Sequence, residues 1–162
     1  QVAAGLRRGL DPRSRAEMGE ALDHACRVLD IGRSVDFFER HEHAADIVLA
    51  TELDGFSHRQ IALLAAVLRR AGDEKADPRS LSPLVKGDDT EAVERAAVLL
   101  VLADDIEERS PSHRPLEVRC EVRKGVATVR VRGLLGWRPR QLGARFERAF
   151  GLDLVVVPEG RR

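Results

Sequence analysis

The hydrophobic positions of this chain change period once, near residue 110. Before that point they recur at helical spacing; after it they alternate. Met18, Leu22, Cys26 and Leu29 form one stripe, and Asp11-Pro12 offers an N-cap followed by proline at the first helical position, so a helix is expected to open there and stop near Gly32. A second helix is expected from Glu39 to Thr51. Leu53 to Phe56 reads as a turn, and Ser57 with Gln60 as a capping box that starts a helix carrying Ile61, Leu64, Ala65 and Leu68. Ala71 to Asp89 reads as a polar loop. A long helix then carries Val93, Ala97 and Leu100, with Asp104 only about 20° off the same stripe and therefore expected to face inward.

In the second region Leu116, Val118, Cys120 and Val122 alternate with Glu117, Arg119, Glu121 and Arg123. Lys124-Gly125 supplies a two-residue turn, and Ala127, Val129 and Val131 alternate with Thr128, Arg130 and Arg132. The reading is a hairpin with one wet face. Leu142, Phe146 and Phe150 predict an amphipathic helix stopped by Gly151, and Leu152 to Val157 a third strand. The expected fold class is therefore α+β: a mostly α-helical domain over residues 1–109, a linker at 110–115 (SPSHRP), and a small β-β-α-β tail over 116–162 packed on the helical part.

Charge follows the same division. Residues 1–108 hold 14 Lys and Arg against 22 Asp and Glu, while residues 109–162 hold 13 against 5, so a net charge of zero conceals −8 and +8. A chain of 162 residues buries about two-thirds of its unfolded surface and requires no metal or disulfide staple. Cys26 and Cys120 lie far apart on apolar stripes with no CxxC, and are read as buried thiols of a reducing, cytoplasmic compartment. No run of about 18 apolar residues and no signal-peptide pattern occurs, which argues against a membrane partner. The opening residue is not Met and lies in mid-pattern, so a piece of a longer protein is expected.

Five collinear segments carry a resemblance: LDIG at Leu29 to Gly32, HEHAADIVL at His41 to Leu49, ELDGFSHRQIALLAAVL at Glu52 to Leu68, VLADDIEERS at Val101 to Ser110, and the tail LEVRCEV to FGLDLVVV. Over about 130 residues the chain resembles the C-terminal region of the exopolyphosphatase / guanosine pentaphosphate phosphatase family. The resemblance implies an HD-like helical domain with a small α/β tail. It implies also that hydrolysis of polyphosphate or pppGpp is carried by upstream actin-like domains with Mg²⁺, whose glycine-rich phosphate loops are not in this sequence. No cofactor is expected in this chain itself.

An HD-type site needs histidines and aspartates converging on a divalent metal. Where family members carry LLHDIG this chain has VLDIG, so the ligand histidine falls on Leu29; where they carry ARYHR it has VLRRAG at Val67 to Gly72. Asp30 and Asp104 remain, and His41 and His43 match the family's HxH, though two helical residues two apart point about 200° from each other, so one is expected inward and the other on the surface. The metal site is thus read as degenerate. Asp30 also suits an ion pair with an arginine, and Asp104 a buried pair with His43 or an arginine. His24 with Cys26 lacks a third ligand, His58 suits a first-turn surface position, and His113 the linker.

The tail offers an anion-binding alternative. If Lys124-Gly125 is the turn, Arg119 lies opposite Arg130, a like-charge pair that costs stability unless Glu117 or Glu121 neutralises it. With Arg123, Lys124 and Arg132, and with Arg138 and Arg140 nearby, the pair forms a candidate face for a polyanion. Nucleic acid is a weaker match, because Trp137 alone makes no stacking platform. Three readings follow: an accessory domain contributing substrate-channel or dimer contacts; an active metal-dependent HD phosphohydrolase using Asp30, His43 and Asp104; and a structural homodimerisation module, which an exposed apolar patch would favour.

Overall fold

The structure is a computed structural model that describes residues 1–36, 38–110, 116–134 and 142–159. His113, Trp137, Arg138 and Arg140, and all of the expected linker except Ser110, lie outside the described residues. The chain forms two compact units, Arg15–Leu100 and Gln1–Ser14 with Val101–Arg162.

Arg15–Leu100 is helical. Helix α2 spans Ala16–Val28 and runs into a 3₁₀ turn, Leu29–Ser34; α3 spans Arg40–Ala50 and α4 His58–Gly72. Helix α5, Thr90–Glu108, begins in this unit. Its predicted core residues Val93, Ala97 and Leu100 are fully buried, as are Leu64, Ala65 and Leu68 of α4. Ser57 and Gln60 cap α4 reciprocally: Gln60 N–H donates to Ser57 Oγ at 3.2 Å, and Ser57 N–H donates to Gln60 Oε1 at 2.9 Å. Close packing explains two glycines. A Cβ on Gly32 would stand 1.9 Å from the carbonyl oxygen of Arg40, and one on Gly72 2.7 Å from His41 Cβ, so the LDIG turn and α4 each seat directly on α3.

Helix α2 differs from expectation at both ends of its stripe. Asp11 is the C-cap of α1, Val2–Leu10, and α2 opens at Ala16 behind Arg15. The buried stripe of α2 runs Met18, Leu22, Ala25 and Leu29, because a three-residue step keeps the face that a second four-residue step leaves; Cys26 is exposed.

The other unit holds a three-stranded sheet in the order β1-β2-β3. Strands β1 (Glu117–Arg123) and β2 (Val126–Arg132) are antiparallel about a turn in which Lys124 and Gly125 have φ of 49° and 81°. Helix α6 (Leu142–Phe150) ends before Gly151, whose φ is 66°, and returns the chain to β3 (Asp153–Glu159), parallel to β2. Ala127, Val129, Val131 and Phe146 are fully buried on the dry side. Pro158 lies on the open edge of the sheet: Asp153 N–H donates to Gly125 O at 2.9 Å, so odd residues of β3 face β2 and the missing N–H of Pro158 points outward. Residues 1–14 group with this unit rather than with α2 to α4. The reason is α1, whose Gly5 and Gly9 approach Val118 and Cys120 of β1; a Cβ on Gly9 would lie 2.3 Å from Cys120 Cβ.

Candidate functional site

The carboxylate and histidine positions expected to form an HD-like site hold other partners in this fold. Leu29, where the resemblance expects a histidine, is buried in the core. Asp30 is exposed on the 3₁₀ turn, its carboxylate 3.0 Å from Arg33 Nε and 3.9 Å from Arg40 Nη1. His43 lies one helical turn from Glu39, at 3.9 Å, and both His41 and His43 are half-buried rather than divided between core and surface. Helix α3 lies between the LDIG turn and α4, so flanks that ordinarily see water are partly covered. Asp104 belongs to the other unit and is half-buried, short of the inward placement expected from its stripe. Among the described residues no three His, Cys, Asp or Glu side chains gather in a way that can hold a metal ion. The Asp30 carboxylate is engaged by guanidinium groups, which compete with a divalent cation for its oxygens.

A buried carboxylate does exist, at the end of the polar 71–89 stretch. Asp89 ends a short 3₁₀ turn, Gly87–Asp89, and is fully buried. Arg59, in the first turn of α4, donates through Nη1 and Nη2 to the two carboxylate oxygens at 3.0 and 3.1 Å. Arg15, the N-cap residue of α2, donates to Oδ1, and the Lys86 N–H reaches Oδ2 at 2.8 Å. Arg59 also binds the Leu84 carbonyl and Glu17, at 2.5 and 3.2 Å. Burial alone would raise the Asp89 carboxyl; the hydrogen bonds from Arg59, Lys86 and Arg15 outweigh it and hold the group at about 2. Every oxygen of this carboxylate is spent on joining the 73–89 loop to the start of α2 and α4. Such a group anchors structure and offers nothing to a substrate. Beside it a cleft of about 620 Å³ is lined by Arg70, Lys75, Asp77, Arg79, Gly87 and Thr90 among others. Arg70 pairs there with Glu94, and Arg79 with Asp77 at 3.0 Å, so its charge is largely balanced.

The sheet gives a different picture. Its polar face is a grid read directly from the register: Glu117–Arg132–Glu159, Arg119–Arg130–Val157, Glu121–Thr128–Val155 and Arg123–Val126–Asp153. Arg119 does lie opposite Arg130, and Glu117 opposite Arg132, as alternation predicts. Glu117 accepts from Arg132 Nη1 at 3.1 Å, and Glu121 holds Arg123 Nε at 2.5 Å. Arg119 is only 4.0 Å from the same Glu117. Arg130 is exposed, has an arginine on one side and Val157 on the other, and makes no salt bridge among the described residues. Lys124 caps the turn in a left-handed conformation. Of the five cations expected to bind an anion, Arg123 and Arg132 are thus held closely by carboxylates on the sheet and Arg119 more loosely.

No helix among the described residues is long and apolar enough to cross a membrane. Comparison with known families matches residues 4–133 to Ppx/GppA phosphatase, domain III, a span that takes in every element from α1 to β2, and the chain therefore belongs to the Ppx/GppA phosphatase family.

Proposed function

We propose that this chain is an accessory domain of an exopolyphosphatase-like phosphatase, holding a phosphate polymer on the polar face of its sheet while hydrolysis takes place in upstream actin-like domains of the parent, with Mg²⁺ there. The observation that carries this reading is the Arg119–Arg130 pair. Two guanidinium groups directly across a ladder repel each other, and the sheet keeps them side by side with no carboxylate opposite either. An oxyanion between them converts that repulsion into paired, charge-assisted hydrogen bonds. The engagement of Asp30 by Arg33 counts against the phosphohydrolase reading built on Asp30, His43 and Asp104. An exposed thiol at Cys26 supports a reducing, cytoplasmic setting.

The test is binding of long-chain polyphosphate to the wild-type chain and to Arg119→Ala/Arg130→Ala at two salt concentrations. Binding that is lost, or loses its salt dependence, in the double variant supports the reading. Equal binding by both proteins with the same salt slope removes the face from consideration.

A second reading has an observation of its own. Ile31, Val35 and Phe38 are 45%, 60% and 91% exposed along one short segment before α3, an apolar surface suited to a neighbouring domain of the parent or to a second copy in a homodimer. Sedimentation of wild type and Phe38→Ser over a range of concentrations decides whether this surface joins copies of the chain.

A further inference from the structure

Resting on the anion-face reading above, we propose that the face is a single-phosphoryl site centred between Arg119 and Arg130, with Glu117 and Glu121 setting its size. Five cations were expected to share a polymer across this face. The structure divides them by what each already holds. Arg132 is committed to Glu117 at 3.1 Å, and Arg123 to Glu121. A polymer reaching either must first displace a carboxylate that repels it. Lys124 sits in the turn beyond the ladder, and Arg119 and Arg130 remain across it, with Glu117 at 4.0 Å from the former and already serving Arg132.

The geometry of the pair suits one tetrahedral group. Because Asp153 N–H donates to Gly125 O, the odd residues of β2 point their backbone groups at β3 and the even ones at β1. Arg130 and Arg119 are therefore a hydrogen-bonded pair, with Cα atoms about 5.5 Å apart. Side chains leaving the same face at that separation converge on one oxyanion, each guanidinium presenting its fork to two oxygens. A neighbouring phosphoryl group along a polymer meets Glu121 and Thr128 in one direction, and the Glu117–Arg132–Glu159 row in the other. The acidic residues confine the polymer to one contact point instead of a track.

Salt dependence of long-chain polyphosphate binding counts the contacts, since each neutralised phosphate releases about one counterion. Two arginines on one phosphoryl group neutralise one phosphate and predict a slope near 1, an affinity loss of about fourfold between 50 and 200 mM salt; five independent contacts predict about 500-fold. Arg130→Ala is expected to lower affinity at least about tenfold and bring the slope below 1. Glu117→Gln, which releases Arg132 for a second phosphoryl group, is expected to tighten binding and raise the slope toward 2. A slope near 5 in wild type, unmoved by Glu117→Gln, overturns the single-group site and leaves the anion-binding role standing. Failure of the wild-type chain to bind at all removes both.

Discussion

Arg59 and Asp89, thirty residues apart, meet through two parallel hydrogen bonds of 3.0 and 3.1 Å, and the carboxylate that receives them is fully buried. Removing the acceptor leaves a guanidinium with lost partners and a loop with no tether. Asp89→Ala is expected to cost about 3 kcal/mol, the range for breaking one side of a buried ion pair. Arg15→Ala should cost under about 1 kcal/mol, because that side chain is 47% exposed. Urea denaturation of both variants checks the order; equal losses would show that Arg15, not Arg59, carries the contact.

The same carboxylate gives a pH dependence. Its folded value of about 2 lies below the ordinary 3.8, so its contribution is fully present above about pH 4 and is lost as pH falls toward 2. The shift is worth about 2 kcal/mol. Wild type is expected to lose that increment of stability between pH 4 and pH 2, and Asp89→Asn to lose correspondingly less. Parallel acid profiles of the two proteins would assign the acid loss to other groups.

Asp89 was not legible in the sequence, and the reason is physical. Asp88 and Asp89 are adjacent acids in a polar stretch, and what distinguishes them is an arginine 30 residues away and another 74 away. Periodicity carries no such information. The hairpin was legible because everything that fixes it is local: alternation on both strands, and Lys124-Gly125 tolerating positive φ between them. Register followed, and with it the Arg119–Arg130 pair. Cys26 shows the intermediate case. The helix was identified, but its buried face advances by three residues from Leu22 to Ala25, and a reading that advanced by four put the thiol inside. Helix α1 escaped notice because its glycines, which weaken helix propensity, are there for contact with β1.

Gly32 and Gly143 are expected to respond oppositely to alanine. At Gly32 the new methyl meets the Arg40 carbonyl at 1.9 Å, a backbone atom that moves only if α3 moves, so Gly32→Ala should cost about 2 to 4 kcal/mol. At Gly143, within α6, nothing lies within 4 Å, and Gly143→Ala should stabilise by about 0.5 to 1 kcal/mol through helix propensity. Thermal melts decide it; a neutral Gly32→Ala would mean that the LDIG turn does not seat on α3.

The purified chain is expected to release no phosphate from polyphosphate or pppGpp above a buffer control, and to carry no near-stoichiometric Mn²⁺, Fe or Zn²⁺ by elemental analysis. The basis is the donor set: Leu29 supplies no lone pair, and the Asp30 carboxylate stands 3.0 Å from Arg33. Turnover abolished by Asp30→Ala or His43→Ala would establish the phosphohydrolase reading instead.

The two cysteines report on whether α1 stays docked. Cys26 is exposed on α2, whereas burial pushes the Cys120 thiol up to about 11, beneath Gly9 of α1. At pH 8 a thiol of that value holds about 100-fold less thiolate than an ordinary one near 9, and the thiolate is the reacting form. Alkylation followed by mass spectrometry is therefore expected to modify the exposed Cys26 faster than Cys120. Gly9→Ala places a methyl 2.3 Å from Cys120 Cβ and 3.1 Å from its Sγ, so α1 must lift from β1. Lifting it restores water to the thiol, lowers its pKa and should speed Cys120 labelling several-fold while leaving Cys26 unchanged. The conservative control is Cys26→Ser, which should leave Cys120 as slow as before. If Cys120 in wild type reacts as fast as Cys26, α1 does not hold its place against β1.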